Sequence, residues 1–264
     1  QILHSKVDHE IGVHTYSHRD FMDPTCSDEE AEAEIRRCID VLGIQNRPTS
    51  FVFPWKRESK YHVVAKEGFT TYRSKIRELG YPSREHGLWK IPGVYYLDEK
   101  SFGAEGLVKK YIDLAIAYGS VLHLWTHPWS LSADGDVEAY ARRTLEPIFQ
   151  HLAKRRDEGQ MWICTMRELA NYSEVRERFE ILDYQADPEG FSFQVRAKAE
   201  VPSKMDDLLT IEVPTNSSPH DMSVESEDLT ENVRFKVHNA NGDNIFLELP
   251  VRHSLYSVKG VRKL

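Results

Sequence analysis

The sequence predicts a mixed α/β domain followed by a small all-β domain. Three observations carry that expectation. Short apolar runs alternate with amphipathic segments over residues 1–175, helical periodicity ceases near residue 178, and residues 178–264 alternate apolar with polar positions between clusters of turn formers. Strand–helix alternation means βα units and a mainly parallel sheet or barrel. Apolar–polar alternation means half-buried strands, here a small antiparallel, sandwich-like domain.

The elements follow in order. Ser27-Asp28-Glu29-Glu30 is a capping box, and Ala31, Ile35, Cys38, Ile39 and Leu42 recur at helical spacing until Gly43 stops the helix. Ser50 to Phe53 reads as a short buried strand closed by Pro54. Tyr61 to Glu67 is a short helix ending at Gly68, and Phe69 to Tyr72 a strand. Leu107, Tyr111, Leu114, Ala115 and Tyr118 mark a helix that Gly119 ends, and the strand Val121–Trp125 follows. A long helix over Val137–Glu158 is expected to kink at Pro147. Met161 to Cys164 reads as the next strand, and Thr165-x-x-Glu168 as a second capping box. Beyond 178, Phe191, Phe193 and Val195 alternate, as do Leu209, Ile211 and Val213, then Val233, Phe235 and Val237. Asp187-Pro188-Glu189-Gly190, Asn216-Ser217-Ser218-Pro219 and Asn241-Gly242 supply turns between them.

Composition narrows the function classes. With 264 residues the chain holds one large domain or two ordinary ones. Lys and Arg total 34 against 42 Asp and Glu, a formal net charge of −8. Such a chain repels polyphosphate, so no nucleic-acid partner is expected. Hydrophobic residues at 40% supply a core and argue against disorder. No run reaches the roughly 18 apolar residues of a membrane span. Cys26, Cys38 and Cys164 match no zinc-ribbon spacing and are odd in number, so they read as buried or half-buried thiols. Oligomeric state and compartment are left open.

Two segments carry chemistry. In Gly12-Val13-His14-Thr15-Tyr16-Ser17-His18 the two histidines stand four apart, which on a helical turn puts both on one face, within reach of one metal ion. Neutral imidazole suits zinc and its neighbours, and two such ligands need others to complete a site. The same spacing recurs at His123 and His127. In a strand those rings stand about 13 Å apart at some 3.3 Å per residue, too far to share an ion. His127 falls where its strand runs out, the edge at which active sites of parallel α/β folds assemble. Flanked by Trp125 and Trp129, it is a candidate general acid in an apolar sugar pocket.

Together these segments resemble the polysaccharide deacetylase family (carbohydrate esterase family four, the NodB-homology domain). His14-Thr15-Tyr16-Ser17-His18 is similar to its H-[ST]-x-x-H motif, Phe51-Val52-Phe53-Pro54-Trp55 stands where the family has R-x-P-aromatic, and Trp125-Thr126-His127 where it has L-x-H. Met161 to Leu169 resembles the closing strand and helix, so the resemblance covers residues 1–175. It implies a deformed (β/α) barrel that hydrolyses N-acetyl groups from a (poly)saccharide. It also implies that His14 and His18 ligate a divalent metal, usually zinc, that His127 protonates the leaving amine, and that Trp55, Trp125 and Trp129 contact the sugar.

Departures from the pattern are also legible. The family's T-F-D-D motif, source of the base and of a carboxylate ligand, does not precede His14, and Asp8 is the nearest acid. The chain is therefore expected to be a fragment whose barrel lacks its first strand, and to be inactive as it stands. Val52 occupies the position of the family's arginine, with Lys56 and Arg57 the nearest substitutes, and D-x-x-D-W is absent apart from Trp89. Two other readings follow: a degenerate, non-catalytic carbohydrate-binding domain, and an amide or ureide hydrolase on the same barrel. Residues 178–264 carry no motif and read as an accessory module.

Overall fold

A computed structural model describes residues 9–43, 47–75, 79–98, 104–131, 136–186, 190–198, 208–214, 223–226, 236–240, 244–250 and 254–259. Contacts divide the chain into two units, Gln1–Arg156 with Ile163–Ala170, and Asp157–Trp162 with Asn171–Leu264.

In the first unit the capping box acts as the sequence indicates. The Ser27 hydroxyl accepts the Glu30 amide at 3.1 Å to open α1 (Asp28–Leu42), and Gly43 closes it with φ 57°. Ala31 and Ile35 of α1 are wholly buried in a core with Val13, Phe21, Phe51 and Phe53. β1 (Ser50–Val52) runs parallel to β2 (Thr71–Arg73), with the short α2 (Tyr61–Lys66) between them in sequence. β2 in turn runs parallel to β4 (Leu88–Ile91), and β3 (Ser83–Glu85) joins β4 antiparallel. Val13 adds a single parallel bridge to Phe51, held by Val13 N–H to Ser50 O at 3.0 Å and Val52 N–H to Val13 O at 2.9 Å. β5 (Tyr95–Leu97) and β6 (Leu124–Thr126) form a second parallel pair, with α3 (Glu105–Tyr118) between them in sequence. The unit is thus mixed α/β with mostly parallel strands, and no barrel closes among the described residues. Trp89 is a core residue packed with Ile91 and Ala170, which accounts for it without a motif.

Two elements differ from expectation. The long helix is three pieces: α4 (Val137–Tyr140), a π-helical turn over Ala141–Leu145, and α5 (Glu146–Asp157). Pro147 has no N–H to give and its ring crowds the carbonyl four residues back, at Arg143. Widening that turn accommodates both without breaking the helix. Met161 to Cys164 is not a strand. An apolar run signals burial, but a strand needs a neighbour for its N–H groups. This one pairs with none among the described residues, and Trp162 and Ile163 stand half exposed. At α6 (Met166–Arg178) the second capping box is reciprocal: Thr165 N–H donates to Glu168 at 2.7 Å, and Glu168 N–H to the Thr165 hydroxyl at 3.2 Å.

The second unit is antiparallel. β7 (Phe179–Ala186), β8 (Gly190–Ala197), β10 (Ser223–Ser226) and β13 (Ser254–Lys259) form one sheet in the order β10-β13-β8-β7. β9 (Leu208–Pro214), β11 (Lys236–Ala240) and β12 (Asn244–Pro250) form another, ordered β11-β12-β9. Phe191, Phe193 and Val195 are buried at alternate positions of β8, as their spacing requires. Val233, Phe235 and most of the expected turn residues lie outside the described residues. Among the described residues no helix is long and apolar enough to cross a membrane.

Candidate functional site

The site begins where the Val13 bridge ends. His14 follows Val13 directly, and its Nδ1–H donates to Val52 O at 2.7 Å. That bond fixes the ring and its tautomer, leaving Nε2 with the lone pair. The spacing of four predicts a helical turn here, but the segment is irregular, with left-handed backbone at Thr15 (φ 62°) and His18 (φ 61°). The buried Thr15 hydroxyl accepts the Arg19 amide at 3.0 Å. The chain thereby doubles back, and the His14 and His18 rings meet edge to face with centroids 4.8 Å apart.

Other strand ends converge on the pair. After β1 the chain turns through two consecutive left-handed residues, Trp55 (φ 58°) and Lys56 (φ 57°). Trp55, 66% exposed, lies 4.7 Å from the His18 ring. Lys56 places its ammonium 4.7 Å above Trp125, and Arg73, last residue of β2, places its guanidinium 4.1 Å from the same ring. Just beyond β6 stands His127, with the exposed Trp129 stacked on it at 4.4 Å. Tyr96 of β5 stacks on Trp125 at 4.3 Å and bonds through its hydroxyl to His127 Nδ1 at 3.0 Å and to the buried Ser130 hydroxyl at 2.5 Å.

The electrostatics are one-sided. Burial holds the His14 pKa below its ordinary value against the opposing pull of the Val52 carbonyl, and His18, Arg73 and His127 lower it further. Burial also lowers that of His127, helped by Arg73, His18 and Lys56. His18 and Arg73 thus act on both His14 and His127. Ring contacts running from His14 through His18 to Trp55, and from Lys56 through Trp125 to His127, place the pair and His127 at one locus. Arg73 itself is pushed down to about 10 by burial. His123 is half-buried, and burial holds its pKa at about 4, again with Arg73 as its charged neighbour.

All six expected residues, His14, His18, Trp55, Trp125, His127 and Trp129, therefore belong to one neighbourhood. Of the two nearest substitutes for the missing arginine, Arg57 pairs with Asp20 at 2.5 Å and Lys56 lies over Trp125. The guanidinium of the site is Arg73. Neither Arg73 nor Tyr96 nor Ser130 carries a local motif; position at or near a strand end is the one signal that finds them. Seven non-glycine residues have positive φ among the described residues, and Thr15, His18, Trp55 and Lys56 are four of them. Left-handed backbone costs a side-chain-bearing residue about 1–2 kcal/mol, and such strain gathers at functional sites.

The imidazoles of His14 and His18 provide two donors suited to a divalent metal. Among the described residues no third His, Cys, Asp or Glu joins them in a cluster able to hold one. Compared with protein families, with curated proteins and with solved structures, the chain shows no match.

Proposed function

We propose that the first unit is a deacetylase-type site on a deformed (β/α) barrel, acting on an N-acetylated saccharide. One observation supports this reading most: three separated chain segments bring His14, His18 and His127 together with Trp55, Trp125 and Trp129. Imidazoles beside exposed indoles suit a polar reaction on a sugar, whose ring faces stack on such rings.

His14 and His18 would hold the metal through nitrogen, His14 by Nε2. When bound, the metal would polarise the amide carbonyl and acidify a water. The protein's own part falls mainly to His127. Its lowered pKa keeps it neutral near pH 7, so Nε2 accepts a proton from the attacking water and returns it to the leaving amine. Tyr96 holds Nδ1 during both transfers. A carboxylate base would speed the first transfer, and such a group contributes about 10²–10⁴ in rate. Among the described residues, which do not include Asp8, no carboxylate acts on His14 or His127, so turnover by this chain is expected to be slow or absent.

That same one-sided charge favours a second reading, a saccharide-binding site that does not hydrolyse. Acetate release from N-acetylated oligosaccharides, with zinc and after chelation, separates the two. Slow, chelator-sensitive release abolished in His127→Ala supports the hydrolase. Saturable sugar binding with no release at any zinc concentration replaces it with the binding reading.

A further inference from the structure

Beside the histidines lies a small indentation of about 10 Å³ lined by Lys56, Arg73, Ser74, Lys75, Gly93 and Trp125. That is room for about one water-sized group, so it takes a single oxygen of a substituent whose remainder stays outside. Three of its six lining residues are cations and none is an acid, in a chain whose net charge is −8. That inversion of the overall charge is local, and it lies next to the reacting groups.

The pocket is also built. Arg73 is held on one side by the Trp125 ring at 4.1 Å, and among the described residues it makes no ion pair with a carboxylate. A half-buried guanidinium without a counter-ion has lost water and gained no anion, a cost recovered when an oxyanion binds. Gly93 is what gives it room. A Cβ there would lie 2.6 Å from Ser74 O and 3.2 Å from Arg73 Cγ, so any larger residue pushes the arginine stem away. Gly93 and Ser74 are buried, so neither yields easily.

We propose that Lys56, Arg73 and Lys75 form a subsite for an anionic substituent, carboxylate or phosphate, on the sugar that the histidine site takes. The inference rests on the saccharide reading of that site and names its substrate class: acidic rather than neutral N-acetylated sugars. The planar guanidinium pairs with two oxygens at once, while the lysines add charge without direction.

Calorimetric titration, without metal and at low salt, tests it with three probes: N-acetylglucosamine, its 6-phosphate, and N-acetylglucosaminuronic acid. At least one acidic probe binds roughly tenfold or more tightly than the neutral sugar, the difference shrinks at high salt, and the two acidic arms tell phosphate from carboxylate. Arg73→Gln removes the difference, so that the acidic probes bind no more tightly than the neutral sugar. Gly93→Ala reduces it without deleting any charge, a result that simple loss of a cation does not produce. Equal affinities for all three probes, no binding of any, or an acid preference that survives Arg73→Gln overturns the proposal. Because the titration needs no turnover, it fails separately from the hydrolase reading. Acid preference without acetate release leaves the subsite standing, and release without acid preference leaves the hydrolase standing.

Discussion

His14 and His18 meet edge to face with ring centroids 4.8 Å apart, although no helix carries them. The left-handed residues Thr15 and His18 do what a helical turn would have done, and the Val52 carbonyl selects the His14 tautomer. Two donors on one ion act as a unit. His14→Ala and His18→Ala should each weaken zinc binding at least tenfold in competition with a chromophoric chelator. The double variant should be little worse than either single one, because one imidazole alone holds zinc poorly. Independent, additive losses would place the two rings on separate ions and end the shared-site reading.

Tyr96 joins His127 to Ser130 through one hydroxyl. Tyr96→Phe keeps the ring that stacks on Trp125 and removes only that oxygen, leaving the buried Ser130 hydroxyl without this partner. Urea denaturation should show a loss of about 1–3 kcal/mol, the cost of a stranded buried polar group. Proton NMR should show the His127 titration moving as well. Unchanged stability together with an unchanged titration would reduce the contact to coincidence.

Glu67 is a buried carboxylate between two arginines, Arg36 at 2.6 Å and Arg47 at 3.2 Å, and ties α1 to the end of α2. Removing one partner of a fully buried pair costs about 3–5 kcal/mol because it strands a charge. Here both arginines are more than half exposed, 58% and 57%, and would return to water. Glu67→Ala is therefore expected to cost less, about 1–3 kcal/mol, in urea midpoints at constant m. A loss beyond 4 kcal/mol would mean that the arginines are more enclosed than their exposure indicates.

His123 gives the fold an acid-sensitive residue. Its pKa in the fold is about 4 against an ordinary 6.5, so between those values the unfolded chain binds a proton that the folded chain refuses. Its contribution is full above pH 6.5 and is lost as pH falls towards 4, by about 3 kcal/mol at most. Stability measured at pH 7 and pH 4.5 should fall less in His123→Asn than in the unaltered chain. Equal slopes would show that His123 is protonated freely in the folded state.

What the sequence made legible was local chemistry. Both capping boxes, the glycine stops at Gly43 and Gly119, and the alternation of Phe191, Phe193 and Val195 depend on neighbours a few positions away, and spacing alone specifies them. Met161–Cys164 failed because a strand is defined by a partner that composition does not name. The helical turn at His14–His18 failed for a related reason: spacing places two side chains on a common face only once the backbone is known, and this backbone is left-handed at two points. Motif and order name six residues that the fold brings near one another, but neither names Arg73 or Tyr96. They come from β2 and β5, and nothing within either strand says which other strand ends it will face.

The mooring of the histidine pair has a dynamic consequence. Val13 meets β1 through a single bridge, two backbone hydrogen bonds with no ladder continuing on either side. In amide exchange such an anchor reads as an island, with Val13 and Val52 slow and the amides just before and after Val13 fast. His14 stands at the shore of that island with its ring tied to Val52, and beyond it side chains hold the loop, Glu34 taking the Ser17 amide and Thr15 the Arg19 amide. Bound metal would therefore add a mooring to a loop that no backbone ladder secures among the described residues, and its binding would be read as stability of the fold.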